Sequence, residues 1–128
     1  MKQITQEWIN KAEGDWSSAQ REVRARQSPN YDAACFHTQQ CAEKYLKGRL
    51  EEAGITFSKT HDLIRLLHLV LPTEPMWISL QADLSVLTNY AVDFRYPGFF
   101  ATKIQAQVAV KSCRRIRKVI RLAFGLPV

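Results

Sequence analysis

Apolar residues recur at intervals of three and four along most of the chain, and this spacing restricts the fold more than any other feature. The first segment carries one such stripe, with Glu, Lys and Arg on the other faces, and its members are Ile4, Trp8, Ala12, Asp15 or Trp16, Ala19 and Val23. A stripe of this kind is typical of an amphipathic helix with one face in a core. The helix is predicted to end near residues 28–30, a Ser-Pro-Asn turn cluster.

Two further helices are predicted in the middle of the chain. The second covers about residues 31–53, and its apolar band is broad enough to need several neighbours, which is typical of a central helix. Gly54 is predicted to end it in a left-handed conformation. The third is short, reaches about residue 71, and is predicted to have Thr60 as its N-cap and Asp62 in its first turn.

The last two helices follow the same rule. Apolar residues repeat from Trp77 to Phe94, and this fourth helix is predicted to end at residues 95–98, Arg-Tyr-Pro-Gly. The fifth spans about residues 102–124, and the side chains predicted to face inward are Ile104, Val108, Ile116, Ile120 and Ala123. No segment alternates in the manner of a strand. The sequence therefore predicts an all-α, up-and-down helical bundle of four long helices and one short helix, forming a single domain over residues 1–128.

Length, cysteines and charge define the broad class of the protein. A chain of 128 residues buries enough surface to fold without disulfides or metal. The three cysteines, Cys35, Cys41 and Cys113, lack a C-x-x-C pair and are predicted to be reduced core residues of a cytoplasmic protein. The first residues lack the apolar region of a signal peptide, and no stretch is long enough to span a bilayer. A formal charge of +6 favours anionic partners such as nucleic acid or nucleotides.

Polar residues cluster at three places where a bundle does not require them. His37, Gln40, Lys44 and Lys47 form a stripe beside the apolar band of the second helix, with Gln39 and Glu43 on the neighbouring line. The other two clusters are residues 59–62, Lys-Thr-His-Asp, and the pair Arg95-Tyr96. A polar stripe on a helix is most often its solvated face, so spacing alone leaves the purpose of these residues open.

These clusters carry a resemblance to a known family. The strings FHTQQCAEKYLK at residues 36–47, KTHDL at 59–63 and FRYP at 94–97 resemble the pattern of HEPN domains, the higher eukaryotes and prokaryotes nucleotide-binding domains. The order and separation of the three blocks fit this pattern, and the likeness extends from about Trp8 to Ile120. It implies a helical bundle that commonly dimerises in a prokaryotic cell, often beside a nucleotidyltransferase partner.

The resemblance also raises the question of catalysis. Some members of this family are toxins of toxin–antitoxin pairs and act as metal-independent ribonucleases through an Arg followed four to six residues later by a His. The matching residue here is Arg95, and no histidine follows it anywhere in the chain. The enzyme prediction therefore leans towards no, although His37 or His61 near Arg95 would supply displaced catalytic groups.

The favoured hypothesis is a non-catalytic accessory subunit that binds the phosphates of a nucleotide or RNA, without a metal or cofactor. The predicted ligand-binding residues are His37, Gln40, Glu43, Lys44, Lys47, Lys59, His61, Asp62, Arg95 and Tyr96. Lysine and arginine would supply charge for phosphates, while Gln40 and Tyr96 would bond or stack on a base. The alternative is structural: the same groups would form a buried network between helices, in a partner subunit without a ligand.

A separate basic row lies on the fifth helix. Its members are Lys111, Arg114, Arg115, Lys118 and Arg121. Such a row could follow a phosphate backbone, with an affinity that falls with salt, or it could simply be a solvated face. No metal site is predicted, because Cys35, His37 and Cys41 do not have the spacing of a zinc site.

Overall fold

Five α-helices and no strands form the structure, a computed structural model that describes all 128 residues. Their bounds are α1 Gln3–Arg24, α2 Tyr31–Ala53, α3 Leu63–Val70, α4 Gln81–Leu87 and α5 Lys103–Ala123. The prediction of an all-α helical bundle is therefore confirmed. None of the helices combines the length and the apolar character that crossing a membrane requires.

The central helix is α2, which packs against α1, α3, α4 and α5. Its approach to α1 is closest at Gly48, where a Cβ atom would lie 3.1 Å from the Cβ of Trp8. Gly54 ends the helix with φ +71°, and its N–H donates to the carbonyl oxygen of Glu51, as predicted for a glycine after a C-terminus. The broad apolar band of α2 is buried because neighbours cover it on several sides.

The start of α3 differs from the prediction, because Thr60 is not the N-cap. Asp62 takes that position, and its carboxylate accepts hydrogen bonds from the backbone N–H groups of Ile64 and Arg65. The hydroxyl of Thr60 instead accepts a bond from the N–H of Asp62. A carboxylate one step before the apolar run reaches the free N–H groups of the first turn, so the helix begins two residues later than the threonine suggests.

Residues 75–95 do not form the continuous fourth helix that the apolar spacing predicts. The segment contains a 3-10 helix at Pro75–Leu80, then α4, then 3-10 turns at Thr88–Ala91 and Asp93–Arg95. Its apolar face is nevertheless buried as expected, at Trp77, Leu80, Leu84, Leu87 and Ala91. The α-helical hydrogen bonding stops after Leu87, where Thr88, Asn89 and Asp93 have low helix propensity and polar side chains that compete for backbone groups. The hydroxyl of Thr88 accepts a hydrogen bond from the N–H of Leu63 in α3.

The buried face of the fifth helix agrees with the prediction at Ile116 and Ile120 but differs from it in the first half of the helix and at Ala123, which is exposed. Ile104 and Val108 are 71% and 43% exposed, so their assignment to the core was wrong. The buried face of α5 instead consists of Ala106, Ala109, Val110, Ser112, Cys113, Ile116 and Ile120. The small side chains of Ala106, Ala109 and Ser112 on that face allow α5 to lie close to the neighbouring helices. The spacing of large apolar residues does not predict that a face of small residues will be the buried one. A capping box between Thr102 and Gln105 starts the helix.

Candidate ligand-binding site

One polar face of α2 remains partly exposed although neighbouring helices cover much of the rest of the helix. His37, Gln40 and Lys44 lie along it at i, i+3 and i+7, and each is partly open to solvent. We call these three residues the α2 stripe. Polar side chains held on the most buried helix of a bundle are costly to place unless they are paired or used, so this face is the first candidate for a site.

Asp15 of α1 holds two members of the α2 stripe in place. Its Oδ1 lies 2.8 Å from Nδ1 of His37, and its Oδ2 accepts a hydrogen bond from Nζ of Lys44. The Asp15 side chain is only 10% exposed, compared with 30% for His37 and 22% for Lys44. The carboxylate therefore fixes the imidazole by one ring nitrogen and leaves Nε2, which has no protein partner, for another group.

Arg95 lies beside the same end of α2 through an aromatic contact. Its guanidinium carbon is 5.8 Å from the ring centroid of Phe36, and that ring meets the ring of His37 edge-on at 5.4 Å. An open cavity of about 390 Å³ adjoins this contact, lined by Asn30, Asp32, Ala33, Phe36, Phe94 and Arg95. Arg95 has no acidic partner, so its planar fork is free to bind an anion. Tyr96 follows it and is 61% exposed.

A second set of predicted residues is buried and mutually paired. Lys47 Nζ donates to Oε2 of Glu43 at 3.0 Å, and both side chains are less than a tenth exposed. Glu43 Oε1 also accepts from Gln39, and it lies 2.8 Å from Nδ1 of His61. The ammonium of Lys47 sits 5.9 Å from the Trp8 ring and 5.8 Å from the Phe57 ring. This is the structural network that the sequence left as an alternative.

The remaining predicted residues lie on the α3 side of the molecule. His61 is 63% exposed beyond its bond to Glu43, and with Asp62 it lines an open cavity against residues 88–93. The carboxylate of Asp62 is occupied in capping α3. Lys59 is exposed and has no acidic partner. His37, Gln40, Lys44 and Arg95 are therefore at least partly exposed to solvent, whereas Glu43 and Lys47 are buried in the interior. The ligand-binding roles of all the predicted residues stay predictions.

Another polar cluster, between α1 and α5, was missed by the sequence reasoning. Glu13 accepts hydrogen bonds from Tyr45 Oη at 2.6 Å and from Nε and Nη2 of Arg117 at 2.8 and 2.7 Å. Arg121 lies 3.6 Å from the same carboxylate. Burial alone would raise the pKa of Glu13, but the bonds from Arg117 and Tyr45 outweigh it and hold that pKa below 4.5. A separation of 104 residues leaves no local signal for such a pair.

We expect Glu13→Gln to lower the free energy of unfolding by about 1 kcal/mol at neutral pH, since solvent screens a side chain that is 31% exposed. The native pKa of Glu13 lies below its unfolded value, so its contribution is complete above pH 4.5 and is lost as pH falls through the native pKa. Thermal unfolding across this range should show the two proteins converging in acid. A constant difference at every pH would contradict the assignment; Glu7→Gln, exposed on the same helix, is the control.

The cysteines lie in the interior of the bundle. Cys35, Cys41 and Cys113 are all fully buried, and all three are free thiols. Burial raises the pKa of Cys35 to about 12, and it raises that of Cys41, which lies beside Cys113, well above 9.0. Thiols with such pKa values are poor nucleophiles and poor metal ligands at neutral pH. No three His, Cys, Asp or Glu side chains converge in a way that would hold a metal ion.

The chain is similar to a known protein family over most of its length. The family model described as "HEPN domain" matches residues 5–123, nearly the whole chain. No curated protein matches the chain significantly. The match includes α1, with Asp15, as well as the three blocks at residues 36–47, 59–63 and 94–97.

Two solved structures share the fold. TT1696 from Thermus thermophilus is 23% identical, covers 94% of this chain and 98% of its own, and superposes with a TM-score of 0.82. ST0689, described as an archaeal HEPN homologue, is 28% identical, covers 94% of this chain and 97% of its own, and gives a TM-score of 0.72. The likeness in each case extends over the whole bundle.

Proposed function

Because the chain belongs to the HEPN domain family, we propose that it is an accessory subunit that binds a nucleotide or RNA and does not itself catalyse a reaction. The observation that carries this proposal is the α2 stripe: three polar side chains stay partly exposed on the central helix of the bundle, and Asp15 of α1 fixes two of them. Each of the three has one protein partner, Asp15 for His37 and Lys44 and Gln39 for Gln40, and keeps further hydrogen-bonding capacity for a ligand.

The chemistry of this face suits a phosphate-bearing ligand. Lys44 and Arg95 supply positive charge, and the guanidinium can bond two phosphate oxygens at once. His37 offers its free Nε2 as a donor or acceptor, and the amide of Gln40 is a hydrogen-bonding group for a base or sugar. Phe36, half-buried beneath Arg95, adds an aromatic surface next to the cavity at residues 30–36.

The case against catalysis rests on the residues after Arg95. The family's ribonucleases place a histidine shortly after this arginine, in the pattern Arg-x4-6-His, whereas residues 99–102 of the chain are Phe, Phe, Ala and Thr. A side chain without a titratable group cannot move the protons of RNA cleavage. Binding through Arg95 needs no such partner, so the same arginine serves the accessory role.

One observation favours a second candidate function, a metal-independent ribonuclease toxin with displaced catalytic groups. The Asp15–His37 pair has the form of a carboxylate that orients an imidazole, and Arg95 lies next to it across Phe36. In that function His37 would transfer protons and Arg95 would hold the scissile phosphate. RNA incubated with the protein distinguishes the two functions directly.

The proposed partners of the chain are a nucleotidyltransferase and a second copy of the chain. A nucleotidyltransferase partner in a prokaryotic cytoplasm is supported by the family resemblance alone. A homodimer is supported in addition by an exposed apolar patch at the start of α5, whose members are Phe99, Phe100, Ile104 and Val108. Patches of large apolar side chains on a monomer commonly mark an interface, and we assign this one to a second copy of the chain.

The proposal predicts ligand-dependent stabilisation of the purified protein. A nucleotide or short RNA at about 100 times its Kd should add about 2.7 kcal/mol to the free energy of unfolding, which thermal unfolding at fixed ionic strength would detect. His37→Ala and Arg95→Ala should each weaken binding about tenfold or more, since each removes a hydrogen bond to a charged ligand. Arg95 is exposed, so its replacement should leave the unliganded stability unchanged.

Arg65→Gln is the matched control, because Arg65 is an exposed arginine of α3 outside the candidate site. It removes the same charge and should leave the affinity unchanged. Equal loss in all three variants would mean that only net charge matters and would contradict a site on α2. RNA that is cleaved by the wild type, but intact with His37→Ala or Arg95→Ala, would replace the accessory role with the ribonuclease.

A further inference from the structure

The cations on the second half of α5 fall into two groups. Arg115 forms three hydrogen bonds with the carboxylate of Asp83, and Arg117 and Arg121 are held by Glu13. The other three have no acidic partner and are exposed, and these are Lys111, Arg114 and Lys118. Two of the five members of the basic row predicted from the sequence, Arg115 and Arg121, are therefore paired with carboxylates, and the three free members lie at i, i+3 and i+7, on a single face.

The first helix extends this free face. Glu13 pairs with Arg117 and Trp16 contacts Arg114, so α1 and α5 run antiparallel along their contact. Continued at 1.5 Å per residue from the four recorded contacts, the two helices bring Gln20 opposite about residues 110–114 and Arg24 opposite about residues 106–110. Arg24 and its neighbour Arg21 have no acidic partner. We call five of the free cations of the two helices the α1–α5 basic face: Arg21, Arg24, Lys111, Arg114 and Lys118.

The α1 side of this face contains an open cavity of about 440 Å³, lined by Ser17, Gln20, Arg21, Arg24 and Ala25. Four of the five side chains donate hydrogen bonds, and none is acidic. On the α5 side the guanidinium carbons of Arg114 and Arg117 each lie 5.6 Å from the ring centroid of Trp16. The indole is 7% exposed and therefore restrains Arg114 without offering a surface for base stacking.

We propose that the α1–α5 basic face binds the sugar-phosphate backbone of RNA without reading its sequence. The free cations of α5 span about 10 Å, comparable with the rise of three nucleotides on one strand of a duplex. Serine and glutamine are common additional donors to phosphate, and the face has no exposed aromatic side chain on which a base could stack. Between Lys111 and Lys118 no apolar residue is exposed, which disfavours a protein partner, whose interface would need an apolar centre.

This inference rests on the proposed function, because it commits the phosphate-bearing ligand to RNA, and it adds a surface distinct from the α2 stripe. Its signature is the dependence of affinity on salt. Fluorescence anisotropy with a labelled oligouridine of about 20 nucleotides, between about 50 and 200 mM KCl, gives the slope of log K against log salt. Lys111→Gln and Lys118→Gln should each reduce that slope by about 0.7 and weaken binding about fivefold at 0.1 M salt.

Arg65→Gln removes one exposed charge from α3 and should change neither slope nor affinity. Slopes that stay at the wild-type value in both lysine variants would overturn the inference, and His37→Ala would then still report on the α2 stripe separately. Binding of mononucleotides without binding of oligouridine would also overturn it, while the proposed function would stand. Equally tight binding of polyglutamate at the same ionic strength would overturn it in favour of an acidic protein.

Discussion

Replacing Glu43 with alanine is expected to destabilise the domain by about 3 to 5 kcal/mol. The change leaves the ammonium of Lys47 in the interior without its partner, since that side chain is only 8% exposed and donates to Glu43 at 3.0 Å. It also removes an acceptor from Gln39 and from Nδ1 of His61. Urea unfolding at neutral pH would measure the loss, which is a large part of the stability of a domain this size.

A double substitution separates the cost of an unpaired charge from the value of the pair. Glu43→Leu with Lys47→Met replaces both ions by apolar groups of similar length and should recover most of the stability. The aromatic rings of Trp8 and Phe57, which flank Lys47, would accept a methionine. A loss below about 1 kcal/mol in Glu43→Ala would show that water reaches Lys47 and that the network is not buried in solution.

The Glu43–Lys47 pair also shows that the predicted ligand-binding residues of α2 fall into a buried set and a partly exposed set. Glu43 and Lys47 belong to the same polar stretch of α2 as His37, Gln40 and Lys44. Trp8 of α1 and residues 57 and 61, between α2 and α3, contact the first two, whereas Asp15 of α1 pairs with His37 and Lys44. Helical spacing gives the angle of a residue around its own helix, and it does not say which neighbour lies over that angle. The sequence therefore identified the polar residues of α2 correctly but could not divide them into a structural and an open set.

The fold was predicted well where a segment carries one consistent pattern. The end of α2 agrees with Gly54, whose effect is local, whereas α1 ends at Arg24, before the predicted turn cluster at residues 28–30. The prediction was wrong at Ile104 and Val108 because a face of small residues, with Ala106 and Ala109, was preferred for close packing. It was incomplete for residues 75–95, where a regular apolar spacing is shared by α-helical and 3-10 turns.

Residues that act through long-range pairing were the hardest to predict as part of a site. Asp15 offered one signal, since it is an acidic residue within an apolar stripe, and such a residue needs a buried partner. Glu13 and Arg117 carried no such signal, because a charged residue on an amphipathic helix is ordinarily interpreted as part of its solvated face. The partners of Asp15 and Glu13 become visible only when α1 is packed against both α2 and α5. Asp15 then pairs with His37 and Lys44 of α2, and Glu13 pairs with Arg117 of α5.

Asp15→Asn is expected to change stability and ligand affinity in opposite directions. The amide is the same size as the carboxylate but has no charge, so the charge-assisted bond from Lys44 is lost, at a cost of about 2 kcal/mol. Lys44 then keeps its full charge for a phosphate, and a negative group is removed from beneath the α2 stripe. We expect the affinity for the RNA or nucleotide ligand to rise about tenfold, measured by anisotropy beside urea unfolding.

The control for net charge is Glu7→Gln, an exposed and unpaired carboxylate on the same helix, which should alter neither quantity much. A similar rise in affinity for both variants would mean that long-range attraction, rather than Lys44, explains the gain. A fall in affinity with Asp15→Asn would contradict the accessory binding site and would point to a different role for the carboxylate. It would mean that the carboxylate is needed to orient His37 towards the ligand, as a ribonuclease would require, and RNA cleavage should then disappear with the same substitution.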